Sequence, residues 1–232
     1  MPSATRPLFV PDSDGVLVLE RALTFTWHPG MALAQQQRSV DEFHREAERN
    51  GFSPVLEVST RSKSPLGVSL SAFNLRLQTS MVEHSVTVEA AFQSSKLYIK
   101  QGAPTYLLGW EDGRSIKARV REFQGEPITG FRFEEADWPL VPTTAFYDFL
   151  YLRGLRDLCN DHAQLEPEIM TYQGFTDIAF NPKRSLNCQA RSLALFVALG
   201  GSLGLGDLLS DPTALRTLMV EHNYLGSDSA LF

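Results

Sequence analysis

Residues 86–104 read VTVEAAFQSSKLYIKQGAP and set Glu89, Gln93 and Lys96 among small and apolar neighbours. Taken as a helix from about Thr87 to Ile99, the stretch puts these positions, i, i+4 and i+7, on one face. An acid, an amide and an amine then point together, either into water or into a pocket. Charged residues are usually exposed, which favours water. Three local features favour the pocket. Ala90, Ala91, Ser94 and Ser95 are small and let a helix be approached closely. Phe92 stands beside Gln93, so polar and apolar faces adjoin. Glu89 falls in the first turn, where the helix dipole favours an ionised carboxylate.

Upstream of this stretch the pattern is mostly that of strands. PLFVP, the turn-like DSDG and VLVLE form a hairpin, with Gly15 supplying positive φ. ALTFTWHPG alternates, with Leu23, Phe25 and Trp27 on one face, until Pro29-Gly30 stops it. SVDEFHREAERNG reads as a helix with Ser39 and Glu42 as a capping box, Val40, Phe43 and Ala47 as the apolar stripe and Gly51 at its end. PVLEVST and LGVSLSAFNLRL read as two more strands. Downstream, EPITGFRFEEADWPLVP gives a strand and a loop, and Thr143 or Thr144 caps the long helix AFYDFLYLRGLRDLCNDHAQL. SLNCQARSLALFVALGG begins at Ser185 and ends at a glycine pair, and Asp211 with Pro212 opens a last helix. Strands come mostly early and helices mostly late, which predicts an α+β fold rather than a doubly wound parallel sheet.

Composition narrows the function. Hydrophobic residues make up 43% of the 232, enough for a sizeable core. A formal net charge of −6 argues against a broad electropositive surface, so any nucleic-acid contact is local and short. Two cysteines without short spacing, Cys159 and Cys188, and no long apolar run predict a soluble, cytoplasmic protein with no membrane contact. The five histidines show no metal-ligand spacing, and neither a G-x-G-x-x-G nor a Walker pattern occurs. GGSLG at 200–204 matches a nucleophile elbow in letters only, since Ser202 follows a helix-like run instead of a strand.

SVTVEAAFQSSK resembles the signature block of the NADAR (YbiA-like) family, and LSAFNL resembles that family's short Asn-bearing loop. FTWHPGMALAQQQRSV, LGVSLSAFNL, AFQSSK, WPLVPTTAFYDFLYLRGL and FTDIAFNPKRSLNCQA together are similar to the NADAR antitoxins associated with DarT-type DNA ADP-ribosyltransferase toxins. The blocks occur in order over roughly residues 7 to 200. The resemblance implies a single α+β domain over 1–232 with a predominantly helical core. A strand-rich part would run to about residue 80, a helical catalytic core over about 81–200, and a C-terminal helix and tail over 201–232.

The same resemblance implies an N-glycosidase that removes ADP-ribose from guanine in DNA. Its partners would be ADP-ribosylated, single-stranded DNA, the ADP-ribose product and a cognate DarT-type toxin. Glu89, Lys96 and, by the FTDIAFNP block, Asp177 are carried over as catalytic residues. The usual D-x-x-W-G context of that later acid is absent here. A fixed carboxylate at Glu89 would stabilise the oxocarbenium-like state and take a proton from water. Asp177 would help guanine leave. Lys96 would either meet the diphosphate as a point charge or, once desolvated, attack the ribose aldehyde as a Schiff-base nucleophile. Phe73, Asn74 and Gln93 suit the sugar or a base edge, and Trp138 and Tyr147 can stack on a base. Asp148 is either a buried acid or a polar break in its helix. Lys183, Asn187 and Gln189, at the start of the helix opened by Ser185, suit phosphate oxygens. No cofactor and no metal is needed for hydrolysis. Two alternatives stay open: a non-catalytic module that binds ADP-ribose or the toxin, and a glycosidase of small nucleotide N-ribosides.

Overall fold

The computed structural model describes residues 2–109, 113–123, 125–182 and 185–224. The first elements are β1 (Ser3–Asp12), β2 (Leu17–Thr26), α1 (Leu33–Arg49), β3 (Val55–Glu57) and α2 (Pro65–Ser69). Then come β4 (Arg76–Leu77), β5 (Val86–Thr87), α3 (Val88–Ser94), β6 (Lys96–Tyr98), a 3-10 turn (Thr105–Gly109) and α4 (Gly113–Arg119). A second 3-10 turn (Val120–Phe123), β7 (Ile128–Phe133), β8 (Ala136–Trp138) and α5 (Ala145–Asp161) follow. The chain closes with α6 (Leu165–Ile169), β9 (Gly174–Thr176), α7 (Gln189–Ala198), α8 (Gly206–Ser210) and α9 (Pro212–Glu221). The fold is α+β, as the strand-then-helix pattern predicts. It comprises two compact units, Met1–Ser71 with His162–Gly206, and Ala72–Asp161 with Asp207–Phe232.

The first unit is built on a four-stranded sheet of order β2-β1-β9-β3, with β9 antiparallel to β1 and parallel to β3. Alternation in β2 buries Leu23 and Phe25 against Val40, Phe43 and Ala47 of α1, and Phe25 stacks on Phe43 at 4.8 Å. The expected hairpin is present, but Leu17, not Gly15, takes the positive φ (67°). Helix α1 starts at Leu33, six residues before the expected cap. Ser39 is therefore buried in mid-helix, where its hydroxyl accepts the His28 N–H (3.0 Å) and lies 3.3 Å from the Gln35 carbonyl. Ser and Glu three apart can serve a neighbouring strand end as well as a helix start.

The second unit has a three-stranded antiparallel sheet, β6-β7-β8, and a short β4–β5 pair. Helix α5 is buried nearly all round over its first three turns. Its aromatic residues meet those of α3 and the sheet: Phe131 stacks on Phe146 at 4.6 Å, and Phe92 meets Tyr147 edge-on at 5.3 Å. Each ring buried this way contributes about 1.5–3 kcal/mol. LGVSLSAFNLRL, expected as one strand, is instead helix α2, a turn and the two residues of β4. The turn is held by α3: the first-turn amides of Val88 and Glu89 donate to the carbonyls of Leu75 and Ala72, both at 2.9 Å. Two otherwise orphaned helix donors are thereby satisfied, and Phe73 and Asn74 lie between their acceptors.

Helix α3 is shorter than the expected span to Ile99. Thr87 caps it, its hydroxyl accepting the Ala90 N–H at 3.2 Å. At the other end the Ser94 and Ser95 hydroxyls turn back onto the carbonyls of Ala90 (2.8 Å) and Ala91 (2.7 Å). Lys96 then leaves the helix and pairs with Phe131 of β7. Helix α7 likewise begins at Gln189, with Cys188 as its cap, and not at Ser185. Asp211 caps α9 as expected, accepting the Thr213 N–H at 2.8 Å. Among the described residues no single helix is long and apolar enough to cross a membrane.

Candidate active site

All seven residues of α3 are buried, including Glu89 and Gln93, which are only 6% and 5% exposed. The polar face thus points inward within the second unit. A buried carboxylate needs partners, because leaving water unpaired costs several kcal/mol. Glu89 has two: Gln93 Nε2 donates to Oε1 at 3.0 Å, and Lys117 Nζ lies 2.8 Å from the same oxygen. Lys117 comes from α4, and Gly113 lets α4 approach. A Cβ at Gly113 would stand 2.8 Å from Thr87 Oγ1 and 3.2 Å from Glu89 Cβ.

Lys96 reaches the same neighbourhood from β6. Its ammonium sits over the Phe92 ring, 5.1 Å from the centroid. Burial lowers its pKa, the Glu89 charge pulls the other way, and Lys117 adds to the lowering. The spatial grouping of acid, amide and amine is kept although one helix face does not carry all three. Phe73, half-buried, lies under two cations, Arg114 (5.6 Å) and Lys117 (5.4 Å). Asn74 beside it is exposed. One unit therefore gathers Phe73, Asn74, Glu89, Gln93 and Lys96 with Lys117, a residue the sequence reading did not single out. Its signal was the run of cations from Arg114 to Arg121 in an acidic chain.

Trp138 and Tyr147 are 2% and 6% exposed and pack in the aromatic core of this unit, Trp138 against Phe149 at 4.6 Å. Asp148 is buried in the first turn of α5.

Asp177 and Gln189 belong to the first unit, where Gln189 Nε2 donates to Asp177 Oδ2 at 2.9 Å and the Ala179 N–H donates to Oδ1 at 3.0 Å. Close by in that unit is Glu57, an acid the sequence reading passed over. Its oxygens accept from Ser59 Oγ (2.6 Å), Thr176 Oγ1 (2.7 Å) and the Ile178 N–H (3.0 Å). Burial raises the pKa of Glu57, and the Asp177 charge raises it further. Burial raises Asp177 as well, against hydrogen bonds from Ala179 and Gln189. His44 extends the network, its Nε2 lying 3.0 Å from Thr176 Oγ1. Asn187 is half-buried ahead of α7, and Lys183 lies outside the described residues. A surface depression of about 380 Å³ between α1 and the Phe52–Val55 segment is lined by His44 but by none of the expected site residues. Ser202 sits in a 3-10 turn and hydrogen-bonds Glu166, without the strand a nucleophile elbow requires.

The family model of DarT1-associated NADAR antitoxins matches residues 4–228, nearly the whole chain. No curated protein matches it. The match supports an antitoxin role associated with a DarT-type toxin. By that match the chain belongs to the family of DarT1-associated NADAR antitoxins.

Proposed function

We propose that the protein is an N-glycosidase that removes ADP-ribose from ADP-ribosylated guanine in DNA, and that this reaction is its antitoxin activity. The observation that carries the reading is the buried Glu89 carboxylate, held by Gln93 and Lys117 with Lys96 beside it. Any buried carboxylate needs partners; one that faces an anomeric carbon must in addition stay fixed while positive charge develops in front of it, and the Gln93 and Lys117 contacts fix Glu89.

In the hydrolytic route Glu89 takes a proton as water attacks C1 of the ribose. The bond from C1 to the guanine nitrogen breaks, its electron pair stays on that nitrogen, and the nitrogen gains a proton. The products are unmodified guanine and ADP-ribose. The proton that guanine gains is taken from solvent, and the one that Glu89 accepts is returned to it. Lys96 offers a second route. Its neutral amine adds to C1 of the ring-opened sugar, guanine leaves with a proton, and water then hydrolyses the lysine imine to the ribose aldehyde. Desolvation of Lys96 favours the nucleophile over the phosphate contact, because it enlarges the neutral fraction.

The test uses two single-stranded oligonucleotides, one ADP-ribosylated on guanine and one on thymine. Release from the first only, lost in Glu89→Gln with the fold intact, is the expected result. Tight binding with no release from either would overturn the enzyme reading in favour of a binding module.

A further inference from the structure

In this acidic chain, four of the 21 Lys and Arg residues fall within the eleven residues of Gly113–Phe123, against one acid, Glu122. Ile116 and Val120 are buried and anchor the segment, while Arg114, Arg119 and Arg121 are exposed. Helix α4 packs on α3, and so does the 3-10 turn Thr105–Gly109, which carries Tyr106 at 67% exposure. Phe73 fixes Arg114 and Lys117 side by side by cation–π attraction, and Lys117 is tied to Glu89. Glu111 and Asp112 precede the segment in sequence, but within it the cations outnumber the acids four to one. Exposed cations on one element packed on α3 and an exposed ring on another suit what a single nucleic-acid strand offers, phosphates at regular spacing and unpaired bases that stack.

We propose that Gly113–Phe123, with Tyr106, is the surface that receives the DNA strand flanking the modified guanine, Arg119 and Arg121 meeting backbone phosphates and Tyr106 stacking on a neighbouring base. The proposal deepens the glycosidase reading by naming where the strand runs, and it rests on that reading for the modified base alone. The segment is short and the chain's net charge is −6, so the surface takes a few nucleotides of single strand and not a length of duplex.

The experiment measures anisotropy of an unmodified, labelled 12-mer single strand over a series of salt concentrations. Wild type is compared with Arg119→Gln/Arg121→Gln, Arg119→Lys/Arg121→Lys and Tyr106→Ala, each checked for folding by circular dichroism. The Gln pair is expected to reduce the slope of log K against log salt by about 1.4, two phosphates at about 0.7 each. The Lys pair keeps the slope, and Tyr106→Ala weakens binding with the slope unchanged. Release from an ADP-ribosylated guanosine mononucleoside stays at the wild-type rate in the Gln pair, while KM for the modified oligonucleotide rises. An unchanged slope in the Gln pair overturns the proposal, as does tighter binding of the matching RNA strand. If the slope falls as expected but wild type releases nothing from either substrate, the strand surface stands and the glycosidase reading falls.

Discussion

Lys117 Nζ and Gln93 Nε2 converge on one oxygen of Glu89, at 2.8 and 3.0 Å. The carboxylate is 8% exposed on its side chain, whereas Lys117 is 43% exposed and keeps access to water. The two ends of this ion pair therefore respond differently to mutation. Glu89→Gln removes the negative charge but preserves the side-chain shape, and Lys117 can turn to solvent. Release of guanine should fall about 10²–10⁴-fold, the usual contribution of a positioned acid–base group, with the melting temperature nearly unchanged. Single-turnover release on modified oligonucleotide measures the first, and calorimetry the second. A rate within tenfold of wild type would remove Glu89 from the mechanism.

The pH dependence of the rate separates the two roles of Lys96. An ordinary lysine titrates near about 10.4, and burial moves this one down. If the neutral amine attacks C1, single-turnover rates rise with pH through a midpoint below the ordinary value, and Lys96→Met abolishes both that rise and borohydride trapping of a protein–ADP-ribose adduct. If the ammonium holds a phosphate, the rate falls through the same midpoint and no adduct forms. Trapping by wild type together with a rising limb is the expected outcome.

Gly113 sets the distance between α3 and α4. A methyl group at this position meets Thr87 Oγ1 at 2.8 Å, the Ala90 nitrogen at 3.1 Å and Glu89 Cβ at 3.2 Å. Backbone and a capping hydroxyl cannot swing away as a flexible side chain does. Gly113→Ala should destabilise the protein by about 1–3 kcal/mol, the usual cost of overpacking, and should also lower activity by shifting Lys117 from Glu89. Denaturant unfolding and the release assay report the two effects. Unaltered stability would show that α4 floats freely over α3.

Much of α3 was legible because its determinants are local: a threonine cap, an acid in the first turn and an amide one turn on. Its end was not, because Lys96 leaves the helix to pair with Phe131 of β7, a long-range partner that no local pattern displays. The SAFN turn was misread for a related reason. Its alternation is real, but the carbonyls of Ala72 and Leu75 are committed to the amides of α3, a long-range demand that no periodicity displays. Ser39 fits a capping box perfectly well in letters, yet its hydroxyl serves the end of β2. Lys117 escaped notice because no spacing rule links it to Glu89; only the folding of α4 onto α3 brings them together. Glu57 carried no motif that marked it, and it lies in a three-residue strand at 1% exposure.

The first unit should lose stability on both sides of neutrality for separate reasons. His44 is lowered to about 4, chiefly by burial, with the nearby Asp41 opposing and Lys63 assisting. The unfolded chain takes up this proton near about 6.5 and so binds more protons as pH falls from there, which weakens folding down to about pH 4, where the native histidine also charges. Glu57 behaves oppositely. Its folded pKa is raised by burial and by Asp177, so the native state holds a proton the unfolded chain has released above its ordinary value. Stability is full below that value and is lost as pH rises through the folded one, with a limiting slope of about 1.4 kcal/mol per pH unit for each proton. His44→Gln should therefore flatten the acid limb of a stability–pH curve and leave the alkaline limb intact. Glu57→Gln, whose amide can still meet Ser59, Thr176 and the Ile178 N–H, should flatten the alkaline limb. Urea unfolding from pH 4 to 9 on wild type and both variants checks this. If Glu57→Gln instead removes the acid limb, Glu57 is ionised in the native protein and its burial is compensated by its hydrogen bonds alone.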